Sequence, residues 1–156
     1  DPREIERIQK VSPWTVKPVL LLGGNGWDDP AVVEKAGKYV ECAIFVDGFF
    51  AGSERIETRR FVLAFQQAHA RMPSILEASA YDAASMVAAA MARGVSGRKE
   101  MRDALAGQAP FPGATGDVAF DARGEPVRTL FLLTVDRGVI REMRPEELGG
   151  APVTAP

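Results

Sequence analysis

Apolar positions along the chain change period several times, and each period predicts an element. Val19-Leu20-Leu21-Leu22 is an unbroken apolar run. It predicts a strand covered on both faces, as in a parallel sheet. Ala43-Ile44-Phe45-Val46 predicts a second strand within residues 41–47. Between them, Val32, Val33 and Ala36 share one side of a helix over 29–38. Helical spacing then takes over. Phe61, Val62, Phe65 and Ala68 mark a long helix from Ser53 or Glu54 to about Arg71, ahead of Pro73. Leu76, Ala80, Ala83, Val87 and Ala90 draw an apolar stripe along a second, from Ser74 to Arg93, closed by Gly94. A short third helix, from Ser96 or Gly97 to Ala106, turns Met101 and Leu105 inward.

The remainder reads as β-structure and turns. Residues 111–116 form a turn-rich loop, 117–121 a short alternating strand and 121–125 a turn. Leu130 to Val135 and Val139 to Met143 predict a hairpin about Asp136-Arg137-Gly138. At the N-terminus, Asp1 as cap, Pro2, Ile5 and Ile8 predict a helix to Lys10. Past Arg144 the chain is rich in Pro, Gly and Ala, and 146–156 is expected to be a loose tail. The fold class is α/β, a parallel sheet flanked by helices with a C-terminal hairpin.

The chain is organised around the turn after the first run, Gly23-Gly24-Asn25-Gly26-Trp27-Asp28-Asp29-Pro30. Glycines permit a tight turn or close approach of a ligand. Asp28 or Asp29 can cap the next helix, with Pro30 at its first position. In open α/β sheets ligands bind beyond the carboxyl ends of the strands, where this turn would lie. A phosphate is disfavoured: the dinucleotide fingerprint is incomplete, no Lys-Ser/Thr follows, and two carboxylates stand at the helix start. A structural turn, or a loop touching an uncharged or zwitterionic small molecule, remains.

Composition narrows the chemistry. The 156 residues are 46% apolar and 26% charged, an ordinary globular balance. A net charge of -2 argues against nucleic-acid binding. No apolar run reaches the roughly 20 residues that span a bilayer. The one cysteine, Cys42, is expected as a buried small hydrophobe. His69, the only histidine, is expected as a solvated residue near a helix end, and no metal-ligand cluster or nucleophile elbow accompanies it. Asp82, inside the alanine-rich helix, is either a buried acid or, more simply, a surface residue or hydrogen-bond partner of nearby backbone. No catalytic set, metal site or cofactor motif is present, and no enzymatic activity is expected.

Several segments together resemble the periplasmic binding-protein type I family, in its leucine/isoleucine/valine-binding branch. They are Leu22 to Trp27 followed by Ala36-Gly37, Glu41 to Phe50 leading to Arg60-Phe61, Pro73 leading to Ala80 to Ala84, Met101 to Leu105, and Phe111 to Gly116 leading to Phe120 to Gly124. Within that family the chain is similar to bacterial lipoproteins of the ABC-transporter substrate-binding or penicillin-binding-protein-activator type.

The resemblance implies a two-lobed fold of which this is the C-terminal part, over residues 1–145. Second-lobe pieces would span about 1–47 and 129–143, and a first-lobe piece about 49–127. Gly48 and Val127, within Pro126-Val127-Arg128, would mark hinge crossings. Gly24, Asn25, Gly26 and Trp27 would contact ligand, through amide hydrogen bonds and ring stacking. Asn25 is neutral where amino-acid binders of the family commonly carry an acid, and an aromatic ligand-wall residue expected just before Tyr81 is missing. The implied role is binding of a small polar, amino-acid-like solute in the periplasm, with lipid anchoring and an ABC permease as partner. The alternative is an adaptor with a degenerate ligand site that binds an envelope protein such as a cell-wall synthase. The long helices would cover a sheet formed upstream, so self-association or pairing with an absent N-terminal half is expected.

Overall fold

The structure is a computed structural model that describes residues 20–148. The N-terminal helix expected over residues 1–10 and the end of the tail lie outside the described residues. The chain forms two compact units, one of residues 20–47 with 131–148, the other of residues 48–130.

In the first unit, β1 (Leu22–Gly23) runs parallel to β2 (Ile44–Asp47), with Leu22 opposite Ile44. Antiparallel β6 (Phe131–Asp136) and β7 (Val139–Glu142) complete a sheet of order β1-β2-β6-β7. The parallel pair is bridged by α1 (Pro30–Ala36) and a 3-10 turn (Gly37–Val40). The cap of α1 is Asp29, whose carboxylate accepts the Ala31 N–H at 2.8 Å. Ala36, Val40, Ala43, Phe45, Leu133 and Val135 form the buried core. The β6–β7 turn places Arg137 and Gly138 at φ 52° and 73°, the two left-handed positions that tight hairpins require. The Glu41 carboxylate accepts both of their N–H groups.

Three expectations for this unit are corrected. β1 is an edge strand, and Leu20 and Leu22 are 59% and 72% exposed, so the apolar run is not covered on both faces among the described residues. Hydropathy alone does not say which neighbours a strand meets. Cys42 is exposed, not buried: it turns the chain into β2 at φ 61°, its N–H donating to the Val135 carbonyl at 2.9 Å. The chain past Arg144 is not loose at once. Residues 145–148 form a 3-10 turn in which Glu147 pairs with Arg141 at 2.9 Å and accepts the Arg144 N–H at 3.1 Å.

The second unit packs α2 (Ile56–His69), α3 (Ile75–Ala92) and α4 (Arg98–Ala106) with an antiparallel sheet of β3 (Phe111–Gly113), β4 (Gly116–Phe120) and β5 (Pro126–Arg128). The segment expected as a turn-rich loop is therefore mostly a hairpin, made possible by Gly116 at φ 102°. The unit's core joins Phe49, Phe61, Val62, Ala78 and Ala114. α3 starts at a capping box: Ser74 Oγ accepts the Leu76 N–H, and Glu77 accepts the Ser74 N–H at 2.8 Å.

The buried face of α3 runs through Ala78, Asp82, Met86 and Ala90. The expected stripe is corrected accordingly: Leu76, Ala80, Ala83 and Val87 are exposed, and of that set only Ala90 is buried. Ala68 of α2 is exposed as well. α3 is apolar around most of its circumference, so periodicity does not select the covered side.

Asp82 ties this unit together. It is 3% exposed and accepts the Ala114 N–H at 2.6 Å, the Thr115 N–H at 2.9 Å and the Thr115 hydroxyl at 2.7 Å. From α2, the Thr58 hydroxyl donates to the Ala114 carbonyl at 2.8 Å. Both helices thus grip the tip of the β3–β4 hairpin. A Cβ on Gly113 would lie 2.5 Å from the Asp82 carboxylate, so glycine is what allows the approach.

Candidate functional site

Parallel pairing brings the carboxyl ends of β1 and β2 together on one edge of the first unit's sheet. The chain leaves β1 through Gly24, which is extended, and makes a single 3-10 turn, Asn25–Trp27. The Trp27 N–H closes it on the Gly24 carbonyl at 3.2 Å. Gly24, Asn25 and Gly26 are exposed, and Trp27 is half-buried. The Trp27 ring stands 6.2 Å from that of Phe45 in β2, centroid to centroid. It also lies over Gly23, where a Cβ would meet indole atoms at 2.5–2.9 Å. Asn25 is thus held in the open on a turn whose next residue but one is anchored to the sheet.

The acidic residues around the turn divide their work. Asp29 caps α1. Asp28 is half-buried, and its carboxyl is pushed up to about 6, first by burial and then by the charges of Asp47 and Asp29. Asp47 ends β2 and is 5% exposed. This pairing of Asp28 with Asp47 is what the sequence reading missed, since it treated Asp28 only as an alternative cap. The available signal was that one helix needs one cap, so an Asp-Asp pair leaves a carboxylate for other duty.

The other candidate residues stand apart from the turn in sequence. Gly48 opens the second unit immediately after Asp47. Val127 lies inside β5, opposite Ala119, and the chain passes between units at 130–131. His69 is exposed at the end of α2, its ring 4.4 Å from that of Phe65. Asp82 serves the hairpin tip rather than an open site. No cluster of three or more His, Cys, Asp or Glu able to hold a metal ion occurs among the described residues, and no helix among them is long and apolar enough to cross a membrane.

A family model described as periplasmic binding protein matches residues 15–139. The chain belongs to the periplasmic binding protein family. Its α/β architecture is that of the type I members it resembles. A structure from Rhodospirillum rubrum, ascribed to a branched-chain amino acid ABC transporter, superimposes with a TM-score of 0.80 at 25% identity, over 89% of this chain and 40% of that one. The branched-chain amino acid transporter substrate binding protein of Streptococcus pneumoniae, in complex with isoleucine, gives 0.65 at 26%, over 89% and 39%. A solute binding protein of R. palustris in complex with benzoate gives 0.60 at 25%, over 79% and 35%. The chain therefore spans about 40% of the length of the first of these structures. No curated protein matches it by sequence.

Proposed function

We propose that this chain is the C-terminal part of a periplasmic solute-binding protein and carries one of its ligand loops, residues 24–27. The observation that carries the reading is the glycine turn's position: it leaves the carboxyl end of a parallel strand pair, exposed at Asn25 and anchored at Trp27. Ligands of open α/β sheets bind at that end. Asn25 supplies amide donors and an acceptor, and Trp27 an apolar ring edge. The ligand is a small polar solute of amino-acid-like size. The isoleucine and benzoate seen in two relatives set the range of chemistry to test first. The units correspond to pieces of two lobes, joined at 47–48 and 130–131. Membership of the family supports a periplasmic location and, as part of this reading, service to an ABC permease.

The test is a thermal-shift screen of the intact protein against amino acids, aromatic acids and cell-wall fragments. A specific ligand stabilises by RT ln(1 + [L]/Kd), about 2.7 kcal/mol at a hundredfold excess over Kd. The reading expects a hit that Asn25→Ala weakens. A hit that Asn25→Ala leaves unchanged removes the loop from the site. No hit, with capture of a membrane-bound cell-wall enzyme, favours the adaptor role instead.

A further inference from the structure

We propose that Gly23 is a positioning residue of the ligand loop: by having no side chain, it seats the Trp27 indole between the β1 backbone and Phe45, and that seat fixes the turn that presents Asn25. The proposal rests on the ligand-loop reading given above and deepens it.

Gly23 is the last residue of β1, and its backbone is held in register with Phe45 by the parallel pair. A Cβ there would lie 2.5, 2.8 and 2.9 Å from Cδ2, Cε2 and Cγ of Trp27. These atoms form the rigid middle of the indole and cannot swing aside as a flexible chain end would. Any other residue at 23 therefore displaces the ring or the strand. Across the strand pair, Phe45 is 1% exposed and meets the ring at 42°. Gly23 and the core thus define one pose for the indole. Trp27 ends the 3-10 turn, so its pose sets where the two preceding residues stand. The neighbouring glycines do not share this role: a Cβ on Gly24 or Gly26 would meet nothing within 4 Å. Of the three glycines around Asn25, the close-packed one is the strand's own.

The seat is tested by coupling. The 156 residues hold two tryptophans, so in a protein of these residues Trp14→Phe leaves Trp27 as the indole fluorophore. In that background Gly23→Ala red-shifts the emission and raises acrylamide quenching, with the far-UV spectrum unchanged. Should Gly23→Ala unfold the chain, the double variant Gly23→Ala/Trp27→Ala decides: it regains the folded far-UV spectrum once the obstructing ring is gone, and a double variant that stays unfolded overturns the proposal. The fall in melting temperature caused by Gly23→Ala is compared with and without Trp27→Ala, and it shrinks by more than half once the ring is gone. An equal fall in both backgrounds, or an unshifted emission in a folded Gly23→Ala protein, overturns the proposal.

Binding supplies the second readout. Isoleucine and benzoate are titrated into the intact protein, and Gly23→Ala weakens whichever binds by about tenfold, equivalent to 1.4 kcal/mol. Undiminished affinity despite a displaced indole overturns the positioning role and leaves the ligand-loop reading standing. Failure of every ligand in the screen removes the ligand-loop reading, while the coupling experiment still decides whether Gly23 seats the ring.

Discussion

Replacing Asp82 should be among the most damaging single changes in the second unit. Its carboxylate accepts three hydrogen bonds, from the Ala114 and Thr115 amides and the Thr115 hydroxyl, in a site 3% exposed. Asp82→Ala leaves two buried N–H donors and one hydroxyl without their acceptor. A buried unsatisfied group costs about 1–3 kcal/mol, and the hydroxyl alone can rotate to another partner. The expected loss is therefore about 3–5 kcal/mol, a large share of the 5–15 kcal/mol that typically holds a domain together. Asp82→Asn keeps the shape but can offer only one oxygen, and its NH2 faces a donor. It should lose about 2–3 kcal/mol. Thr115→Val removes one donor and leaves the carboxylate on two amides, at about 1 kcal/mol. Urea denaturation of the four proteins of the Asp82→Asn/Thr115→Val cycle gives the coupling, expected at 0.5–3 kcal/mol for groups in contact. Amide exchange at Ala114 and Thr115 gives the local readout. A loss under about 1 kcal/mol for Asp82→Ala, with exchange at 114 and 115 unchanged, would refute the argument that this carboxylate holds the hairpin tip.

Three other outcomes are expected. Because the Asp28 carboxyl is raised from 3.8 to about 6 in the folded state, the folded chain binds its proton first, and this group's contribution makes stability fall as pH rises from about 4 to 6. The full shift corresponds to about 3 kcal/mol, cut to about 1 kcal/mol by solvent at a half-buried site; Asp28→Asn should flatten the slope and raise the melting temperature at pH 7, and an unchanged pH profile would count against it. Glu77 is held down at about 2 by its hydrogen bond from Ser74 and its pairing with Arg71, so its contribution is present above about 4.5 and disappears as pH falls through 2; Glu77→Gln should remove that acid-range loss in a circular-dichroism titration. The exposed apolar side of α3 should drive the isolated chain to self-associate, and Leu76→Glu with Met91→Glu should return a monomer by sedimentation; a wild-type monomer at high concentration would contradict this.

What the sequence disclosed divides along physical lines. The helices over 56–69, 75–92 and 98–106, the hairpin at 131–142 and the Asp-Pro start of α1 rest on local chemistry, namely caps, turn residues and spacing, and all can be read from neighbours along the chain. The covered side of α3 is not local. With apolar residues nearly all round, the choice between the side through Leu76, Ala80 and Val87 and the side through Ala78, Asp82 and Met86 is made by the β3–β4 hairpin, to which Asp82 is bonded. The one charged residue of that alanine-rich stretch after Glu77 was the clue to the buried side. Along the chain it reads as a buried acid, a surface residue or a hydrogen-bond partner of backbone, and the Ala114 and Thr115 amides, distant in sequence, decide for the last. Cys42 fails for a similar reason: an apolar run says nothing about a left-handed residue at its entrance.

At the candidate site the same distinction changes the chemistry. The turn itself is legible, since glycines, Asp29 and Pro30 act on adjacent backbone. Read alone, its neutral Asn25 offers no charge at the position where the family resemblance implies an acid. Parallel pairing of β1 with β2 brings back a carboxylate by another route, because it sets Asp47, the end of β2, close enough to Asp28 for each charge to oppose the other. The result differs from a fixed acid at position 25. A carboxyl titrating near 6 is charged at neutral pH and loses that charge on mild acidification, while Asn25 does not change. The raised carboxyl thus lies three residues beyond Asn25, in an environment to which a strand distant in sequence contributes through Asp47.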